Sequence, residues 1–407
     1  MSITRPSTDR RLSIRRATHA ALLVAVTLLA IAVRIPVLSD FSPGDDEQDY
    51  RRAVQEGFWS IYVGTNTASF PSVVQRYLHD PSFRRQPWRH LMMEGDQLAV
   101  RHFHVPLAFY VSAVLASQAA TNRAHRVFPL LASAACAPVV VAGLWALGIS
   151  DWIAVLAGVL VAVDQRLIIA SRILTPHPLY LLLACLFLIA FARLLVEPTP
   201  RRRFVAIGLF GASISCLELA PLLGLAAAIG AWLFGTNLDR VFGPSPSRWQ
   251  SLAWFLLVIA ISWPAGLLRL GYVTAYGAFA ALATIYRSEY YGGADVFTLY
   301  HRLFGENLFL AFTAVLGIAA ACWAWRTHKH HAALCVIGSY AAVALVFNWL
   351  NRYRNATYAA ETTVILWLLF AVAMHALANR GRTGKIVSMS LLAVGWVAAF
   401  SELIAAI

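Results

Sequence analysis

Residues 179–192 read LYLLLACLFLIAFA, fourteen positions with no charged side chain. A helix on the surface of a soluble domain would carry a polar stripe through such a stretch, and this one carries none. Its surroundings must be apolar on every side. Residues 20–33 and 252–263 repeat the pattern, and short clusters of Arg, His, Pro and Gly stand between the runs. About 20 apolar residues span the hydrocarbon core of a bilayer as a helix, so repeated runs near that length read as membrane crossings. Composition agrees: 59% of the 407 residues are hydrophobic and 13% charged, which is not the balance of a soluble domain. The fold expected is all-α and polytopic. Cys136, Cys185, Cys216, Cys322 and Cys335 fall inside apolar runs, where a thiol packs as a small apolar group, so no disulfide framework is expected.

A net charge of +13 raises the question of nucleic acid. The basic residues lie in the breaks between runs and form no continuous stripe, so no nucleic-acid partner is expected. They set topology instead, because loops rich in Lys and Arg stay in the cytoplasm. Arg5, Arg10, Arg11, Arg15 and Arg16 make residues 1–17 a basic cytoplasmic N-terminus. The run that follows is long, and Arg34-Ile35-Pro36 replaces a small-residue cleavage site, so residues 18–38 are expected to stay as the first transmembrane helix. Clusters at 201–203, at Arg240 with Arg248, at 326–331 and at 380–385 mark further cytoplasmic loops. Alternation then leaves 166–177, 217–221, 271–307 and 348–358 outside, together with a long first extracytoplasmic loop, 39–125. Within that loop 105–121 is apolar with both flanks outside, which predicts an interfacial or re-entrant helix. Making it a crossing would strand Arg201-Arg202-Arg203 outside. Residues 126–407 form the multi-helix transmembrane domain, giving about eleven transmembrane helices in all. No inverted repeat of the transporter kind is visible.

The first outward loop opens on residues 39–50, SDFSPGDDEQDY, with five acids beside a membrane surface. Pro43 and Gly44 supply a turn, and Asp45 or Asp46 can cap a helix that continues through Tyr50 and Val54. Capping uses one carboxylate. Several together can act as a general base toward a hydroxyl or hold a divalent cation.

An Arg34-Ile35-Pro36 ending to the first span, followed by Asp46-Glu47 and Tyr50, resembles the start of the type C glycosyltransferase superfamily. The likeness is greatest to its protein O-mannosyltransferase and lipid A aminoarabinose transferase branches. There the Asp-Glu pair of the first outward loop lies at the catalytic centre. The resemblance implies Asp46 as general base, Glu47 as its neighbour and Asp45 as an additional acid. His104-Val105-Pro106-Leu107 is similar to the His-Pro-Pro-Leu or Lys-Pro-Pro-Leu element that follows the loop, with Val105 in place of the first proline. It implies His104 facing a donor phosphate, helped by Arg101 or His102; a plain interfacial histidine is the other reading. Residues 164–174, DQRLIIASRIL, resemble a mannosyltransferase stretch with Asp-Asn, then Ser-Arg and Ile-Leu, and imply Arg172 at the phosphate. Thr175-Pro176-His177 stands where those families often carry an acid. Arg166 and Arg172 also suit simple interfacial anchoring. Asn351-Arg352-Tyr353-Arg354 resembles an Arg-Tyr element before a late span, without its usual Leu-Pro, and implies Arg352 and Arg354 as further phosphate ligands.

The resemblance implies transfer of a hexosyl or pentosyl group from a polyprenyl-phosphate donor to an acceptor hydroxyl. The acceptor would be a glycan, lipid or protein at the outer face of a bacterial plasma membrane, and the anomeric centre would invert. A carboxylate suits the hydroxyl proton, and preorganised arginines suit the charge that gathers on the departing phosphate. No cofactor is required, and a divalent cation on Asp46 and Glu47 is left open. Small-residue spans at 208–230 and 317–321 could form a groove for the lipid tail or serve ordinary packing. The 271–307 loop reads equally as a lid or a linker. The rival reading from another class is a transporter or flippase of a lipid-linked sugar, which needs ionisable groups deep in its spans. Glu218 comes nearest to that and falls at an outward turn. A noncatalytic membrane scaffold is the third reading, and it leaves the acid cluster without a cause.

Overall fold

The computed structural model describes residues 8–38, 45–55, 57, 70–85, 105–116, 118, 121–217, 219–236, 238–243, 245–264, 331–350 and 356–406. Among them the regular elements are helical. In the first part of the chain these are α1 (Thr8–Ala32, followed by a 3-10 turn at Ile35–Val37), α2 (Asp45–Gln55), α3 (Phe70–His79), α4 (Pro81–Arg85) and α5 (Leu107–Ala116). Next come α6 (Asn122–Ala146), α7 (Asp151–Val163), α8 (Gln165–Ala170), α9 (His177–Val196), α10 (Pro200–Ile214) and α11 (Ala220–Leu233). The last are α12 (Leu238–Phe242), α13 (Ser245–Ser262), α14 (His331–Leu350), α15 (Ala356–Ala378) and α16 (Arg382–Ala406).

Five stretches among the described residues are long and apolar enough to cross a bilayer: Arg15–Val37, Asn122–Ala146, His177–Val196, Glu361–Ala378 and Arg382–Ser401. Shorter apolar helices accompany them, including Asp151–Val163 and Ala220–Leu233. The all-α, polytopic membrane architecture expected from the sequence is therefore the one present. The expected count of eleven crossings draws partly on segments outside the described residues, 265–330 above all. The core is built where α6 meets α1, α7 and α9, and where α15 packs on α7, α8 and α14. Small residues permit close approach there. A Cβ on Gly158 of α7 would stand 2.2 Å from Val141 Cγ2 on α6, so the two backbones meet only because that position is glycine.

Tight turns order the helices at one end of the bundle. Gly148, at φ 82°, follows α6 in the left-handed conformation, and Ile149 N–H closes back onto Leu144 O at 2.9 Å. The chain then enters α7 beside the start of α1: Arg15 pairs with Asp151 at 3.4 Å, and the His19 ring stacks on Trp145. Ser150 N–H donates to His375 Nδ1 at 3.1 Å, which brings the far end of α15 to the same place. The opposite end carries another set of ties. Leu107 N–H donates to Ser215 O at 2.9 Å, Ser262 Oγ donates to Ser215 Oγ at 2.7 Å, and Arg51 meets Asn122. Helix α5 is ten residues long, about 15 Å and half a hydrocarbon core. It starts beside Ser215 and lies against α2.

Of the two readings of the small-residue span at 208–230, its glycines take the packing one: Gly208 faces Trp254, Gly211 faces Val258, Gly224 faces Phe210 and Gly230 faces the Val336 backbone, each within 3.2 Å of a notional Cβ. The small residues admit neighbouring helices. The 317–321 stretch lies outside the described residues. Cys136, Cys185, Cys216 and Cys335 are buried.

Candidate active site

Helix α2 presents Glu47, Tyr50 and Val54 on one face at the spacing of a helical stripe, and all three are buried. Tyr50 and Val54 pack with Phe109, Tyr110 and Ala113 of α5 and with Leu174, and the Tyr50 and Phe109 ring centroids are 5.1 Å apart. This small apolar cluster seats α2 on the bundle. Glu47 sits beside it and is 5% exposed. Its carboxylate receives two parallel bonds from the wholly buried Arg126 of α6, Nε to Oε1 and Nη2 to Oε2, each 2.7 Å. Leu174 N–H donates to Oε1 at 2.8 Å. A fork of this kind fixes orientation as well as distance. The first turn of α2 is thereby bound to α6 and to the segment joining α8 to α9.

That segment is itself braced. Asp164 caps α8, accepting from Arg166 N–H and Leu167 N–H at 3.1 Å each, while Trp367 Nε1–H of α15 donates to its Oδ2 at 3.1 Å. Arg34, at the end of α1 and 0% exposed, donates to Ser133 Oγ at 2.9 Å and to the carbonyls of Ala30 and Ala162 at 2.8 and 2.7 Å. Ser133 Oγ donates onward to Leu167 O at 3.2 Å. At the other end of the segment His177 Nδ1 and Glu361 Oε1 are 2.6 Å apart, both buried, and Tyr180 and Tyr340 meet through their hydroxyls at 3.0 Å. These ionic groups all stand within about two turns of a helix end.

Asp45 and Asp46 occupy the first turn of α2 immediately before Glu47, and their side chains lie outside the described residues. Arg172 is exposed, two residues from the Leu174 amide that holds Glu47. The structure thus ties the acid-bearing helix to the Arg172 segment. His104, Arg352 and Arg354 lie outside the described residues, as do Glu218 and the 271–307 loop. The Arg126 guanidinium bonds both oxygens of Glu47, so a cation shared with Asp46 would have to compete with that fork. Sequence reasoning missed Arg126 and Glu361, and it noticed His177 only for standing where an acid was expected. The carboxylate at that place arrives from α15, 184 residues away.

The model of the dolichyl-phosphate-mannose-protein mannosyltransferase family matches residues 70–276. Among solved structures, ArnT from Cupriavidus metallidurans bound to undecaprenyl phosphate superposes with a TM-score of 0.56 at 16% identity, over 92% of this chain and 63% of that one. The apo state of the same protein gives a TM-score of 0.56 at 15% identity, over 93% and 64%. This chain therefore spans less than two thirds of the length of ArnT, with which it shares a fold. No curated protein sequence matches significantly. The family match takes in half of the 407 residues, so the chain belongs to the dolichyl-phosphate-mannose-protein mannosyltransferase family.

Proposed function

We propose that this protein is a membrane glycosyltransferase that draws its sugar from a polyprenyl-phosphate carrier, with Asp46 as general base. The observation that carries the reading is the clamp on Glu47. Arg126 and the Leu174 amide fix the residue next to Asp46, so the helix bearing the base is held against the segment bearing Arg172. Family membership supports the donor class, as does the shared fold with a protein whose structure holds undecaprenyl phosphate.

In the reaction the acceptor hydroxyl gives its proton to Asp46 while its oxygen attacks the anomeric carbon. The bond from that carbon to the phosphate oxygen breaks on the opposite face, so configuration inverts. The phosphate leaves on its lipid with one more negative charge, which Arg172 meets, with His104, Arg352 and Arg354 as further ligands. Glu47 acts through Arg126 as a positioning residue. The positive-inside rule favours the outer face for this chemistry, since the α2 end of the bundle is opposite the N-terminal arginines. The sugar is a hexosyl or pentosyl unit, and the membrane is a bacterial plasma membrane.

Asp46→Asn keeps size and hydrogen bonding but cannot take the proton. Transfer of labelled sugar from a polyprenyl-phosphate donor to membrane acceptors should fall by about 10²–10⁴-fold, with expression and insertion preserved. Transfer at the wild-type rate by that variant would remove Asp46 as the base.

A further inference from the structure

Far from the acid-bearing helix, the elbow between α9 and α10 encloses a cavity of about 490 Å³. Ala190 and Arg193 of α9, Thr199 of the elbow, and Arg201, Arg202 and Val205 of α10 line it. It lies at the end of the bundle where Arg15 meets Asp151, because α9 starts beside Glu361 and runs away from the candidate active site. Arg202 is committed within the elbow, pairing with the Glu197 carboxylate and donating from Nη1 to Glu197 O at 3.1 Å. Arg193 and Arg201 are not. Among the described residues neither side chain has a hydrogen-bonding or ionic partner.

Two uncompensated guanidinium groups around one cavity repel each other, and an anion between them removes that cost. The first turn of α10 adds to the attraction. Thr199 Oγ1 accepts from Arg202 N–H at 3.4 Å, which places the positive end of the helix at the same wall. The deeper wall is different in kind. Ala190 lies one turn further into the bundle than Arg193, and Val205 one turn further than Arg201, with Val205 48% exposed. A basic mouth above an apolar wall matches a phosphate group with hydrocarbon attached.

We infer that this cavity binds an anionic phospholipid. Its headgroup phosphate sits between Arg193 and Arg201, and its acyl chains leave over Ala190 and Val205. Basic pockets between helices at a membrane surface hold phosphate headgroups in this way. A free phosphate would use the arginines and leave the apolar wall without a role.

The test is lipid retention by the full-length protein, measured by native mass spectrometry with phosphatidylglycerol or phosphatidylcholine added to the detergent solution. In the double variant Arg193→Gln, Arg201→Gln the affinity for phosphatidylglycerol should drop ~30-fold, the weight of two arginine contacts at a membrane surface. Val205→Trp fills the apolar wall, leaves both arginines in place and should also reduce phosphatidylglycerol retention. Arg382→Gln with Lys385→Gln removes two exposed charges at the same end and should leave retention unchanged. Wild-type retention by the arginine double variant would overturn the site. So would an equal loss in the Arg382 and Lys385 control, which would mean diffuse charge attraction. Displacement of the lipid by equimolar inorganic phosphate would reassign the cavity to the free ion.

Discussion

Arg126 stands one turn inside a long apolar helix and is entirely buried, an expensive place for a charge unless a carboxylate meets it. Glu47 meets it with both oxygens. Replacing Arg126 with Met strands the carboxylate in the interior and should destabilise the protein by about 3–5 kcal/mol, read from its unfolding midpoint in detergent. Adding Glu47→Leu to that variant removes the stranded charge and should restore most of the stability. Transfer should stay impaired in the double variant, because α2 has lost the fork that orients it. A double variant that recovers stability and transfer together would reduce the pair to ordinary packing. The acids at 45–47 were legible in the sequence because they crowd one short stretch. Arg126 was not, because 79 residues separate it from Glu47 and it read only as the boundary between the outward loop and the transmembrane domain. Its one signal was energetic: an arginine beyond the start of an apolar helix needs a partner. Arg34 was legible as the end of the first span, but not as the residue that joins α1 to α6 and α7.

Among the elements, α11 and α14 show what glycine does at a close crossing. A Cβ on Gly230 would stand 2.9 Å from the Val336 Cα and 3.1 Å from the Cys335 carbonyl, so the helices would have to part. Gly230→Ala should therefore cost about 1–3 kcal/mol of stability in thermal unfolding. On α14 itself, a Cβ on Gly338 would meet Leu369 Cδ1 only at 4.0 Å, and Gly338→Ala should leave the unfolding midpoint unchanged or raise it. Equal effects from the two would contradict the packing described. Helix existence was plain in the sequence, since apolar run length alone announces it. Which small residues open a groove and which admit a neighbour was not, because composition is the same in both cases. The distinction appears only with Trp254, Phe210 and Val336 in place.

At the scale of the whole molecule, contacts among the described residues sort to two ends of the bundle. The neighbourhood of Arg15, Asp151, Ser150 and His375 gathers at one end, and that of Glu47, Asn122, Ser215 and Ser262 at the other. With Cys322→Ser as the background, the four cysteines buried among the described residues allow a direct check of sidedness. An impermeant thiol reagent applied to intact cells should label Arg123→Cys and spare Arg382→Cys; the reverse would turn the protein over in the membrane. Use of a polyprenyl-phosphate donor can be read without knowledge of the acceptor. In cells deleted for the gene, lipid extracts should accumulate one polyprenyl-phosphate sugar; the wild-type gene should clear it and the Asp46→Asn gene should not. Unchanged levels of every polyprenyl-phosphate sugar across the three strains would rule out that donor class.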